Sequence, residues 1–409
     1  MNHVQLSLAV GGIARQVIPA DSDEERLARL RLTRSENVGP RTFLHLLGRY
    51  GTARRALEHL PDLARRGGRG TEYLACCTDI AEAEIEAGLA CGARMVMLGD
   101  ADYPDALAAI ESPPPVLWMR GGVELFRRPS VAVVGARNAS ALGLRTARWL
   151  ARELGVAGRV VVSGLARGID AAAHEAALPT GTVGVLAGGI DRVYPEEHTD
   201  LARRMVEAGG ALVAECPVGT EPTSRHFPRR NRLISGLAQG VVLIEAAIRS
   251  GSLITARFAL DQGREVMACP GAPEDPRSGG CNQLIREGAA LIRTAEDVLD
   301  ALTAPRGLQL SEEGAEFLFD GAGFDAESFA DGLSRDEFDA LADFDEEEGG
   351  EDDGLLAEHI LGLLGPAPVE LDEITRATGA SPAELSLALL ELDLAGRIEL
   401  LPGGMVARA

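Results

Sequence analysis

VAVVGARNASALGLRTARWLARELGVAGRVVVSGLARGID, residues 131–170, reads strand, helix, strand. Its two short runs, VAVVGA (131–136) and RVVVSG (159–164), are apolar at every alternating position, as strands covered on both sheet faces must be. The run between them, SALGLRTARWLARELG, carries helical spacing. The same alternation continues through TVGVLAG (182–188), ALVAE (211–215), GVVLIEA (240–246) and EVMACPG (265–271), separated by helical segments such as GIDAAAHEAAL and SLITARFALDQG. The pattern predicts an α/β fold: a Rossmann-like, doubly wound, mostly parallel sheet with helices on both faces.

Outward from this core, Asp23 to about Arg66 reads as several short helices, with a Val38-Gly39-Pro40 turn between two of them. Such a turn resembles a helix-hairpin-helix or sterile-alpha-motif-like module. Residues 354–409 read as three helices followed by a hairpin, RIELLPGGMVAR, with Gly403-Gly404 at its turn, the outline of a winged-helix domain. The expected organisation is an N-terminal extension (1–22), a helical domain (23–88), the Rossmann-like core (89–305), an acidic linker (306–353) and the winged-helix domain (354–409).

The net charge of −22 is unevenly distributed. Residues 1–310 hold 36 acidic and 36 basic groups, whereas 311–353 hold 18 acidic groups against Arg335 alone. Like charge, glycine and few β-branched residues predict a disordered acidic tether in that stretch. Its recurring phenylalanines, Phe317, Phe319, Phe324, Phe329, Phe338 and Phe344, offer an acidic–aromatic partner motif as the other reading. Lysine is absent from the chain, so every basic side chain is a guanidinium and neither a Walker-type nor a Schiff-base lysine is available. Six cysteines without a CxxC pair and seven histidines without HExxH signal neither a metal site nor a disulfide framework, and buried thiols are expected. No cofactor is implied. No apolar run is long enough to span a bilayer and no basic stretch precedes the short apolar one at the N-terminus, so a cytoplasmic protein without membrane insertion is expected.

In an open parallel sheet, ligands bind where the loops converge at the carboxyl ends of the strands. Those loops carry Gly135 and Arg137; Ser163, Gly164 and Arg167; and Ser250, Gly251 and Ser252, the last three at a helix N-terminus where free N–H groups suit an anion. HFPRRNRLISGL (226–237), preceded by Arg225, adds Phe227, Arg230, Asn231 and Arg232 at another helix start. An aromatic beside an arginine cluster is a common way to hold a single nucleic-acid strand, stacking for the base and guanidinium for the backbone. Arg232 opposite Arg137, with Phe227 beneath a base, is the expected arrangement. Arg229 is assigned to a solvated face, and His174 and His226 to packing or capping. No nucleophile–base pair, paired catalytic carboxylates or G-x-S-x-G occurs, so no catalytic residue is assigned and the crevice reads as a binding site.

GAR (135–137), SGLARGIDAAAH (163–174), GGIDRVYPEEHTDL (188–201), FPRRNRLISGL (227–237), EAAIRSGSLITA (245–256) and PG…GCNQLIREGA (270–289) together resemble the DNA-processing protein A (DprA) family. The resemblance spans about residues 90–300. It implies a core that dimerises, binds and protects single-stranded DNA without hydrolysing it, and helps load the RecA recombinase during natural transformation and recombination; Arg137 and the FPxRNR run would contact DNA. The alternative is a nucleotide-processing Rossmann enzyme like the lysine-decarboxylase-like phosphoribohydrolases. Their PGGxGTxxE signature is missing, EAAIRSGSLITA standing at the corresponding turn. In the winged-helix domain the expected recognition helix, SPAELSLALLELDLAG, has no arginine but Glu384, Glu391 and Asp393, which favours protein docking or self-regulation over contact with phosphate.

Overall fold

The computed structural model describes residues 22–66, 73–303, 355–364 and 368–381, together with Ala20, Leu385, Ala388, Leu389, Leu392, 397–401 and 405–408. The acidic linker, most of the N-terminal extension and most of the expected recognition helix lie outside the described residues.

Four helices precede the sheet: α1 (Asp23–Arg34), α2 (Pro40–Tyr50), α3 (Ala53–Arg66) and α4 (Thr78–Ala90). The Ser22 hydroxyl caps α1 by accepting from Glu25 N, and three acids in the first turn face two arginines in the last, as the helix dipole favours. The Val-Gly-Pro turn ends where Pro40 opens α2, a position at which its missing N–H is harmless. A buried knot helps fasten the module to the sheet. Arg34 pairs with Glu84 of α4 at 2.7 Å, and Glu84 accepts a 2.8 Å bond from Trp118 Nε1.

Trp118 belongs to β2 (Val116–Gly121), which follows β1 (Arg94–Met97) and the short helix α5 (Asp105–Ala108). Neither strand is read from the sequence pattern; β2 begins directly after three prolines. The core then alternates as expected: β3 (Ser130–Gly135), α6 (Ala141–Val156), β4 (Val160–Ser163), α7 (Ile169–Ala177), β5 (Thr182–Val185), α8 (Thr199–Glu207), β6 (Ala211–Ala214), α9 (His226–Leu237), β7 (Gly240–Ile244), α10 (Gly251–Asp261), β8 (Glu265–Ala268), α11 (Gly279–Arg286), β9 (Ala290–Leu291) and α12 (Ala295–Thr303).

The sheet order is β1-β2-β6-β5-β4-β3-β7-β8-β9. Strands β3 to β9 are mutually parallel, and β1 and β2 add an antiparallel edge. Alternate residues feed opposite cores: Val131, Val133 and Val161 pack on one face with Leu150 and Leu154 of α6, and Ala132, Val134 and Val162 on the other with Leu233 and Ile234 of α9. Burying each such valine or leucine contributes roughly 1.5–3 kcal/mol. Winding outward from β3 in both directions puts the topological switch point between β3 and β7.

The winged-helix portion comprises α13 (Leu355–Leu363), β10 (Val369–Glu370), α14 (Leu371–Thr378), β11 (Ile398–Leu401) and β12 (Met405–Arg408), with its own core around Ile360, Ile374 and Val406. It seats on the Rossmann-like core through an Arg145–Glu373 pair at 3.1 Å and through Arg277, whose guanidinium donates to the carbonyls of Gly362 and Leu364. The expectation of buried thiols needs correction: Cys281 is buried, Cys77 is exposed and the other four are half-buried, all free. Among the described residues no helix is long and apolar enough to cross a membrane.

Gly88 lies under the Trp118 ring, and a Cβ there would fall 2.1 Å from Cζ3. On an open helix, glycine to alanine stabilises by about 1 kcal/mol. Here Gly88→Ala is expected to destabilise by roughly 1–3 kcal/mol through overpacking, read as a lower urea midpoint.

Candidate functional site

At the switch point Ala136 N donates to the Glu245 carbonyl at 2.8 Å, joining the loops after β3 and β7. Glu245 adopts φ +54°, a left-handed conformation that a non-glycine residue holds only when its surroundings compel it. They do: its carboxylate accepts from Ser140 N at 2.8 Å and from the Ser140 hydroxyl, at the N-terminus of α6. A dinucleotide-binding fold would place a phosphate there, on the first helix of the parallel unit. Here a side chain of the protein already holds that anion position.

Several expected binding residues are structural instead. Gly135 is a packing glycine, since a Cβ there would sit 1.9 Å from the Ile244 carbonyl. The Ser163 hydroxyl is buried and donates to Val133 O at 2.6 Å. Gly164 is buried, its N–H donating to Asp170 at 3.0 Å and its carbonyl accepting from Arg230 at 2.6 Å. Arg230 is itself inside the protein, donating also to Val185 O, so it binds the carboxyl ends of β4 and β5 together. Burial lowers its pKa to about 10, opposed by the facing Asp170, so it stays charged at neutral pH. Asp170, whose carboxyl burial pushes upward, thus orients this arginine.

The largest correction concerns Arg232. It is 4% exposed and pairs with Glu215 at 2.6 Å, while its other nitrogen donates to Ser112 O at 2.7 Å. It does not face Arg137 across a crevice; it fastens α9 to the loop before β2. Asn231 is likewise engaged, donating to Gly251 O at 3.4 Å and accepting from Arg230 at 3.2 Å, so it ties α9 to the first turn of α10. At that turn the Ser250 and Ser252 hydroxyls bond each other at 2.7 Å, and Ser250 is buried as the helix cap; Gly251 and Ser252 are half-buried at the rim.

What remains outside is a compact group. Phe227, half-buried at the start of α9, packs against the 41%-exposed Tyr194 ring with centroids 5.4 Å apart and an interplanar angle of 59°. The Arg137 guanidinium lies 5.4 Å from the Phe227 centroid, and Arg230 5.9 Å from it on the buried side. Arg225 and Arg229, one helical turn apart, are exposed at the start of α9, where both charges act on His226, and Arg249 is exposed in the loop after β7. None of Arg137, Arg225, Arg229 and Arg249 has a carboxylate partner among the described residues. Arg167 is exposed and pairs with Glu197 at 2.8 Å, a surface ion pair that contributes about 0–1 kcal/mol and is readily exchanged for another anion.

Sequence reasoning missed Tyr194, whereas Arg229 is exposed, as its assignment to a solvated face expects. The Tyr194 signal was present in GGIDRVYP, an aromatic in a loop at a strand's carboxyl end. A cavity of ≈ 350 Å³ adjoins this group, lined among others by Arg137, Arg148 and His198 of the core and His359 of α13. Among the described residues, no group of three or more His, Cys, Asp or Glu side chains is placed to hold a metal ion.

The chain matches the family model for DNA recombination-mediator protein A over residues 94–303, that for the DprA-like N-terminal HHH domain over 23–87, and that for the DprA winged helix domain over 346–404. It is 38% identical over 306 residues to Protein Smf of Escherichia coli K12, covering 74% of each chain. It is 42% identical over 224 residues to DNA processing protein DprA of Bacillus subtilis 168, covering 54% of this chain and 75% of that protein. Among solved structures, DNA processing protein A from Streptococcus pneumoniae superposes with a TM-score of 0.55 at 33% identity, covering 69% of this chain and 98% of that one.

Two outcomes follow from the buried groups. Arg232→Ala leaves Glu215 without its charge partner and is expected to destabilise toward the lower end of about 3–5 kcal/mol, Glu215 being 19% exposed, whereas Arg225→Ala and Arg229→Ala stay within about 0.5 kcal/mol in the same urea titrations. His174 supplies a pH dependence. The Thr182 hydroxyl donates to Val161 O, so it accepts from His174 Nδ1 at 2.7 Å and leaves Nε2 buried without a partner. Burial, then the His198 and Arg230 charges, hold its pKa down at about 3 against 6.5 in the unfolded chain. The unfolded state therefore takes the proton first. This contribution is complete above pH 6.5 and is lost by up to about 1.4 kcal/mol per pH unit as pH falls toward 3. Unfolding titrations of His174→Gln should show a shallower acid slope than the parent; equal slopes would reject the assignment.

Proposed function

The chain belongs to the DNA recombination-mediator protein A family, and from that premise we propose that it binds single-stranded DNA across the carboxyl end of its parallel sheet. One observation carries the reading: Arg137 lies against the Phe227–Tyr194 ring pair and Arg225 and Arg229 are exposed at the same helix start, none of the three with a carboxylate partner among the described residues. Guanidinium groups contact the phosphates, and the exposed Tyr194 edge with Phe227 behind it offers a base a stacking platform. Arg167 joins by exchanging Glu197 for phosphate. Gly251 and Ser252 lie at the rim, where the α10 N–H groups favour an anion.

The role we assign is protection of a single strand and its transfer to the RecA recombinase in DNA uptake and recombination, in the cytoplasm, by a non-catalytic protein that works as a homodimer through its Rossmann-like core. Ile248 in the loop after β7 and Leu291 in the edge strand β9, 68% and 44% exposed, are apolar groups such a dimer would cover. Nucleotide processing is disfavoured because the Glu245 carboxylate stands at the N-terminus of α6, where a substrate phosphate would have to go.

Fluorescence anisotropy with single- and double-stranded oligonucleotides tests the reading. Arg137→Ala and Arg229→Ala should each weaken single-strand binding at every sequence and reduce the log–log salt slope by about 0.7 for each phosphate left without its guanidinium. Tyr194→Ala and Phe227→Ala should weaken it by roughly 1–3 kcal/mol for each base that no longer stacks, with the slope nearly unchanged. A preference for duplex, or unchanged affinity in the folded arginine variants, would overturn the assignment.

A further inference from the structure

Helix α6 packs one side onto the sheet through Ala147, Leu150, Ala151 and Leu154. Its opposite side carries an apolar stripe at heptad spacing: Leu142, Trp149 and Val156 are 58%, 37% and 74% exposed. Arg145, Arg148 and Arg152 are interleaved with them and also exposed. Arg148 and Arg152 have no carboxylate partner among the described residues. Large apolar side chains aligned along one helix face, flanked by uncompensated arginines, have the composition of an interface.

We propose that this face of α6 is the docking site for the chain's own acidic segment, residues 311–353. Composition matches on both counts. The segment holds 18 carboxylates against one arginine, and six of the chain's ten phenylalanines, spaced among those acids. Geometry matches as well. The tether leaves from α12, which packs on α6 through Ala295 and Val298, and it returns to the winged-helix portion, whose Glu373 already pairs with Arg145 at 3.1 Å. The domains on either side of the segment therefore both touch the helix it would cover. The helix spans roughly 24 Å at 1.5 Å per residue, well within reach of such a tether at about 3.3 Å per extended residue. Tethering also supplies an effective concentration on the order of millimolar, so weak phenylalanine–tryptophan and carboxylate–guanidinium contacts suffice.

Trp149 reports on this directly, because the chain's other tryptophan, Trp118, is fully buried. Acrylamide quenching is compared between the full chain and a variant lacking residues 311–353. Deletion should raise the quenching constant about two-fold, and the full chain should approach the deleted one in molar salt, where charges are screened beyond about 3 Å. R148E with R152E in the full chain should have the same effect as deletion. A synthetic peptide of residues 311–353 added to the deleted protein should restore protection, which controls for any disturbance by the deletion itself. Equal quenching with and without the segment overturns the proposal. Protection that vanishes on dilution of the full chain also overturns it, since a second copy would then be the occupant.

Discussion

The Arg230 guanidinium is the point from which the exposed surface around it is set. A charge of that kind enters a protein interior only when its donors are matched, and here they reach the carbonyls that end β4 and β5, opposite the Asp170 carboxylate. Asp170 in turn holds the N–H groups of Gly164 and Ala166, so the loop after β4 is closed around the same charge. Because Arg230 belongs to the second turn of α9, fixing it fixes the helix start. Phe227 is thereby laid over the guanidinium, with Tyr194 and Arg137 gathered on its other sides. The outward arginines owe their position to an inward one.

The parallel strands β3 to β8 were legible because burial on both faces leaves uninterrupted β-branched runs, and the turns at Gly39-Pro40 and before Phe227-Pro228 because proline restricts the backbone locally. The phase of α9 was not. A helix in contact with the sheet, with α10 and with the loop before β2 has no simple polar side, so an arginine's presence says nothing about its direction. Arg229 and Arg232 are three residues apart and end in opposite circumstances, one solvated and one matched to Glu215. What decides between them is the location of Glu215 and the Ser112 carbonyl, 17 and 120 residues away, which no local pattern contains. β1 and β2 were missed for a related reason: an antiparallel edge on a parallel sheet is recruited by the partner strand rather than announced by its own periodicity.

Glu245 occupies the place where this scaffold would receive a nucleotide phosphate. The fold retains the switch-point crevice, the glycine-lined first loop and the helix N-terminus behind it, each of which would suit a pyrophosphate. A single carboxylate held at positive φ satisfies that helix end with Ser140, and Gly143 leaves the space it occupies: a Cβ there would lie 2.5 Å from the Glu245 carboxyl carbon. The anion-binding capacity shifts from the backbone in the crevice to side chains on its rim. Backbone N–H groups grip one phosphate at a fixed depth, whereas arginines on a rim can follow a chain of phosphates. On the proposed reading, a change in ligand from a mononucleotide to a strand would be a change in which groups supply the positive charge.

A protein of net charge −22 can bind a polyanion only if its charges are kept apart. At physiological ionic strength, exposed charges more than about 8 Å apart barely sense one another, so the near-neutral core presents whatever sign its local surface carries. Most arginines in that core are consumed by ion pairs or by backbone carbonyls, which makes the unpaired ones informative. Many of them fall in two places, around Phe227 and along α6. A tether dense in carboxylates cannot be indifferent to either. Held along α6, as proposed, it would neutralise arginines that otherwise attract DNA to the wrong face, and its phenylalanines would stay off the Tyr194–Phe227 platform. Released, the same segment would compete for the arginines around that platform. On the docking proposed for α6, the acidic stretch would act on strand binding through where it rests.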